Sequence, residues 1–276
     1  QSVASKWALD DPQAAWEWGS GLERAGDRDR ALLSVVTAVV GDGDTSRAIA
    51  FLEPLWRGES ALEPERVSEK LHQSTFWTGR GGTLTHAISG IDIALWDILG
   101  KVTGQSVGRL LGGRCRERVQ PYASILMEMP DVMRDRCAEY RAKGYRAIKI
   151  GWGPFGRRDS FKLDEEIIRA ARAGAGPDVK LCVDAGASDA HWPNGLKWAL
   201  RTAAMLAEYN VYWFEEALKP DALDDYVALR RAAPLPIAGG EVLTRRQSFQ
   251  PWLQAGAFDI VQPDVTKVGG ISEERR

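Results

Sequence analysis

The chain has 276 residues, 44% of them hydrophobic and 27% charged, which is ample material for a core and excludes a disordered or fibrous protein. Lys plus Arg total 36 against 38 for Asp plus Glu, so a formal net charge of -2 supplies no field for nucleic acid or an anionic membrane surface. A small, locally bound molecule is the expected partner.

In chain order, Gln1–Lys6 has no apolar core of the signal-peptide kind, and no later stretch approaches the ~20 apolar residues needed to cross a bilayer. A cytoplasmic protein is expected. The first 75 or so residues read as a mixed α+β segment. It holds tryptophans and acids from Trp7 to Glu23, a β-rich run at Leu32–Val40, a turn at Gly41–Asp44 and a helical pattern from Arg47 to Trp56. Between Thr85 and Lys101, Ile88, Ile91, Leu95, Ile98 and Leu99 recur at helical spacing and predict a helix that buries this face and stops near Gly100 or Gly104.

From residue 118 short β-like runs alternate with amphipathic stretches. The runs are Arg118–Ser124, Tyr145–Ile150, Val179–Asp184, Val211–Glu215, Pro236–Gly240 and Phe258–Gln262. The stretches between them include Asp131–Lys143, Leu163–Ala173, Gly195–Tyr209 and Leu223–Ala233. Helical returns between strands imply parallel pairing, hence a β/α barrel or a doubly wound sheet over residues 118–276, with residues 1–117 as a separate N-terminal domain. Six units are visible, and a closed eight-stranded barrel needs more chain than follows Gly270. Cys115, Cys137 and Cys182 lie far apart without CxxC spacing, which suggests neither a disulfide framework nor a cysteine zinc site.

Three of the strand runs finish on an acid: Val183-Asp184, Phe214-Glu215-Glu216 and Gly240-Glu241, spaced by about one β/α repeat. On a parallel barrel they share one rim. An acid after a strand often just caps the next helix, but three carboxylates at one mouth repel unless a cation joins them, and all-oxygen ligation suits Mg²⁺.

The run Ile91-Asp92-Ile93-Ala94-Leu95-Trp96-Asp97-Ile98-Leu99-Gly100-Lys101, the stretch Leu110-Leu111-Gly112-Gly113, the strand with Lys149, the three acids and Gln262-Pro263-Asp264-Val265-Thr266-Lys267-Val268-Gly269-Gly270 together resemble the enolase superfamily. Within it they resemble the mandelate racemase-like group, in order from about residue 85 to 270. The resemblance implies a modified TIM-type β/α barrel, here incomplete at the C-terminus, with an α+β capping domain. It also implies Mg²⁺ held by Asp184, Glu215 and Glu241, abstraction of the proton α to a substrate carboxylate with enediolate stabilisation, and an oligomer as is common in the family. The residue types suit that chemistry, because removing such a proton adds a second negative charge to an already anionic group and the barrier is chiefly electrostatic. If the strand continues, Glu216 is expected on the opposite face, in a supporting or structural role.

The pattern departs from its relatives in two places. Where they carry Lys-x-Lys, this chain has Lys149-Ile150-Gly151, so a glycine stands at the base position. Lys149 is then the candidate for charge assistance or, with substrate seated differently, for the base. The glycine is expected to open space lined by Trp152 and Phe155. Asp264 resembles the aspartate that orients a catalytic histidine on the next strand, yet His72, His86 and His191 all lie elsewhere. His86 reads as a helix-start residue, His72 as a surface residue or one reaching the mouth, and His191 as part of a rim loop. The chain therefore reads as a fragment or as a degenerate protein. The expected function is Mg²⁺-dependent dehydration of an acid sugar, a small carboxylate. The alternatives are a racemase or cycloisomerase of a hydroxy or anhydro-sugar acid, or a metal-binding member that has lost catalysis.

Overall fold

A computed structural model describes Ala14 and residues 45–157, 160–186 and 195–276. The expectations for Trp7–Glu23 and Leu32–Asp44, and for His191, lie outside the described residues. The contacts divide the chain into two compact units: residues 1–115, 241–249 and 263–276 form one, and residues 116–240 and 250–262 the other.

The first unit contains helices α1 (Thr45–Trp56), α2 (Pro64–Thr75), α3 (Gly82–Thr103) and the short α4 (Val107–Leu110), with a short α10 (Ile271–Glu274) returning late in the chain. Its core joins Ala48, Phe51 and Leu52 to Val67, Leu71, Leu84, Ala87 and Ile88. On α2 the buried residues are Val67, Ser68, Leu71, His72 and Thr75, one helical stripe with a histidine inside it. Helix α3 ends as its glycine forecasts. Gly104 takes a left-handed conformation (φ 66°) and its N–H closes on the carbonyls of Gly100 and Lys101. Its buried face differs from the aliphatic stripe expected: beyond Ile88 the buried residues are Ser89, Asp92, Trp96 and Gly100, while Ile98 is exposed. The reason is that this face receives α10. The Trp96 indole donates to Ser272 Oγ at 2.9 Å, the Ser272 amide donates to Asp92 Oδ2 at 3.0 Å and the Gly269 amide to Ser89 Oγ at 2.9 Å.

The second unit is built on six parallel strands in the order β1 to β6: β1 (Ala123–Leu126), β2 (Ala147–Gly151), β3 (Lys180–Asp184), β4 (Val211–Glu215), β5 (Ile237–Gly239) and β6 (Ile260–Val261). Helices α5 (Pro130–Ala142), α6 (Phe161–Ala175), α7 (Leu196–Glu208) and α8 (Leu223–Ala232) return the chain between the first five, and α9 (Arg245–Ala255) precedes β6. Neighbours in sequence are neighbours in the sheet, which is the succession of a β/α barrel. β1 starts later than Arg118, because residues 112–122 are exposed and Pro121 supplies no amide to a ladder. β2, β3 and β5 are buried almost throughout, as a parallel sheet covered by helices requires.

Candidate active site

Register decides which side chains meet. Gly151 of β2 pairs with Asp184 of β3, and Asp184 pairs with Glu215 of β4. Leu181 pairs with Val211 but Cys182 with Trp213, so one residue, Tyr212, is skipped. Without that bulge Asp184 would face Phe214, and Glu215 would point to the other side of the sheet. The bulge puts the two carboxylates opposite each other on one face. Lys149, two residues before Gly151, lies on that same face in the preceding row with Cys182 and Trp213.

The lysine bridges the pair. Lys149 Nζ donates to Asp184 Oδ2 at 2.9 Å and to Glu215 Oε1 at 2.7 Å, and the three side chains are 12%, 5% and 2% exposed. The remaining oxygens have fixed donors: the Gly186 amide reaches Asp184 Oδ1 and the Trp213 indole reaches Glu215 Oε2, each at 2.9 Å. Burial by itself would depress the lysine, but the charges and hydrogen bonds of the two carboxylates outweigh it and hold the ammonium well above its ordinary value. Burial, and then the facing Glu215, raise Asp184 above the usual carboxylate range, with Lys149 pulling the other way. These contacts favour the charged form of Lys149. The Cys182 thiol is pushed up to about 12, by burial first and then by Glu215, and stays protonated.

Gly151 does not open space. A Cβ there would lie 2.9 Å from Asp184 Cβ and 3.3 Å from its Cγ, so the aspartate already fills the volume. Phe155 is buried against Trp198, with ring centroids 5.9 Å apart, while Trp152 is exposed on a left-handed backbone (φ 63°). Glu216 does not continue the strand. The strand ends at Glu215, and a φ of 49° at Glu216 breaks the alternation that would have sent it to the far face. Its Oε2 lies 3.2 Å from where a Gly186 Cβ would stand, and Asp184 Oδ1 lies 3.0 Å from the same point.

Glu241 follows β5 by two residues and belongs to the first unit, as do Asp264 and Lys267. There Lys267 Nζ stands 3.6 Å from Glu241 and 3.7 Å from Asp264. Asp264 Oδ1 accepts from the Thr266 amide at 2.8 Å and the Thr266 hydroxyl at 2.6 Å. Burial pushes its pKa up, but these bonds and Lys267 outweigh burial and keep the carboxyl below the ordinary range. Half-buried His86, in the second turn of α3, is depressed by burial and by Lys267, with Asp264 opposing. His72 is not a surface residue. It is buried in the first unit and pushed down to about 4, by burial first and then by Arg245. Among the described residues no group of three His, Cys, Asp or Glu side chains stands close enough together to hold a metal ion. Sequence reasoning missed Trp213 and Gly186 as partners of the acids, although the two-residue period of β4 already puts Trp213 on the face of Glu215.

No helix among the described residues is long and apolar enough to cross a membrane. Residues 132–276 match the enolase C-terminal domain-like family, and residues 47–112 match the N-terminal domain of mandelate racemase / muconate lactonizing enzyme. A D-galactarolactone cycloisomerase from Agrobacterium fabrum is 38% identical over 78% of this chain and 56% of its own length. An L-rhamnonate dehydratase from Saccharopolyspora erythraea is 34% identical over 78% of this chain and 53% of its own length. The chain thus spans about half the length of these curated relatives. An enolase from Bradyrhizobium, solved in complex with magnesium and mandelic acid, superposes with a TM-score of 0.71 at 30% identity, covering 83% of this chain and 62% of the other. By the family matches at both ends of its described length, the chain belongs to the mandelate racemase / muconate lactonizing enzyme family of the enolase superfamily.

Proposed function

We propose that the chain carries the catalytic face of a Mg²⁺-dependent enzyme that removes the proton α to the carboxylate of an acid sugar, most directly a dehydratase. The observation that supports it is the buried Asp184–Glu215 pair at the ends of adjacent parallel strands, joined through a shared cation. Two facing carboxylates that share one cation have the hard-oxygen chemistry Mg²⁺ takes, so Asp184 and Glu215 would hold it, and the family resemblance alone adds Glu241 as the third ligand. When bound, the ion supplies the positive charge that offsets the second negative charge growing on the substrate carboxylate. The chain's own residues do the rest. The Gly186 amide and the Trp213 indole orient the two acids, and protonated Lys149 adds a positive charge at the same face. Asp264, held ionised by Thr266 and Lys267, is the proposed partner of a catalytic base. The substrate is a small carboxylate, and an oligomer and a cytoplasmic setting complete the proposal.

A cycloisomerase is the second reading, favoured by the 38% identity to the Agrobacterium protein. Incubation with a panel of aldonates, aldarates and their lactones in D2O with Mg²⁺ separates the two. A 2-keto product identifies a dehydratase, and an isomer carrying deuterium at Cα without keto product identifies a cycloisomerase or racemase. Neither keto product nor deuterium at Cα across the panel would refute both and favour a non-catalytic member.

A further inference from the structure

We propose that Lys149 is the protein's own counter-cation for the Asp184–Glu215 pair, and that a divalent ion binds these acids only by displacing it. The inference rests on the reading above, in which the pair holds a metal ion. Its basis is geometric. The ammonium touches both acids at once, through one oxygen of each, while the other oxygens are committed to donors that carry no charge. Two carboxylates at paired positions of adjacent strands, 5% and 2% exposed, repel strongly unless a positive charge stands between them. Lys149 supplies that charge from within the sheet.

A divalent ion would need the same two oxygens at a much shorter distance than the ammonium does, about 2.0–2.1 Å for Mg²⁺. Two cations on one oxygen pair repel, so both do not stay. The lysine has somewhere to go: its Nζ is already 5.9 Å from the ring of Tyr122, which lies against Trp213 on the same side of the sheet. The affinity for metal is then a difference between two occupants. The lysine holds the acids together while the metal is away, and it weakens the metal by the strength of its own contacts.

Calorimetric titration of the full chain with Mn²⁺ tests this, with Asp184→Asn marking binding at the pair. Lys149→Met keeps the length of the side chain and removes its charge. It should bind Mn²⁺ at least tenfold more tightly than wild type, melt lower in metal-free buffer, and recover most of that loss at saturating Mn²⁺. Lys149→Arg, which keeps a cation, should not tighten binding. Weaker or unchanged Mn²⁺ binding by folded Lys149→Met overturns the inference and leaves the proposed function standing. Wild type that binds no Mn²⁺ overturns both. Should Lys149→Met fail to fold, reductive methylation of wild type decides: Lys149 should be modified at least threefold faster at saturating Mg²⁺ than without it, and an equal or slower rate refutes displacement.

Discussion

Replacing Gly151 by alanine adds one methyl group at the most crowded point of the acid row. The new carbon would lie 2.9 Å from Asp184 Cβ and 3.3 Å from both its Cγ and its backbone oxygen. None of these is the end of a flexible chain. Asp184 is 4% exposed, paired in the ladder with Gly151, and tethered through Lys149 and the Gly186 amide, so relief must come from the strands themselves. Overpacking of this kind costs about 1–3 kcal/mol, or a fall in Tm of roughly 2–5 °C for a chain of this size. The matched control is Gly90→Ala. Gly90 lies inside α3, exposed and with nothing within 4 Å of the added carbon, so the same change should raise stability there by up to about 1 kcal/mol. Thermal and urea unfolding of the two variants beside wild type gives the comparison. Opposite signs are expected, together with lowered α-proton exchange in Gly151→Ala alone. Restoring a lysine at 151 should be worse than alanine, because the longer side chain starts from the same blocked position. Gly151→Ala as stable as wild type would refute the claim that Asp184 owns this space.

Two further glycines should tolerate alanine even less. At Gly270 (φ 87°) the added carbon would lie 2.5 Å from Asp92 Cβ, and at Gly174 it would press on the Arg134 carbonyl of α5, so each variant should lose more than about 3 kcal/mol by urea unfolding. His72, buried and neutral, gives an acid limb to stability. An imidazole lowered to about 4 against 6.5 unfolded contributes fully above pH 6.5, and that contribution is lost as pH falls towards 4. The loss reaches roughly 3 kcal/mol. Urea midpoints of wild type and His72→Asn across pH 4–7 measure it, and parallel profiles would disprove it. Trp213→Phe removes the indole donor from Glu215 Oε2, a hydrogen bond to a charged group worth about 1.5–3 kcal/mol, and should lower Tm without changing the far-ultraviolet spectrum.

The alternation of strand and helix was legible because covered parallel strands are apolar runs of fixed length, and the acids were legible because they end those runs. Gly151 was misread because a missing side chain does not tell what fills its place. The stripe of α3 was legible in part: Ile88, Ile91 and Leu95 meet the core, but the helix also buries Ser89, Asp92 and Trp96, committed to Ser272 and the Gly269–Gly270 turn, a pairing across most of the chain. Hardest of all was the choice between Glu215 and Glu216. Two consecutive acids end the same strand, and alternation alone sends one to each face without saying which meets Asp184. The structure decides it twice over. Skipping Tyr212 brings Glu215 into register with Asp184, and the left-handed backbone at Glu216 turns the second acid out of the strand towards Gly186. A bulge and a positive φ are properties of the pairing partner and of the next turn, not of the residues themselves. Alternation could therefore locate the acids without choosing between the adjacent pair, and only the family resemblance singled out Glu215.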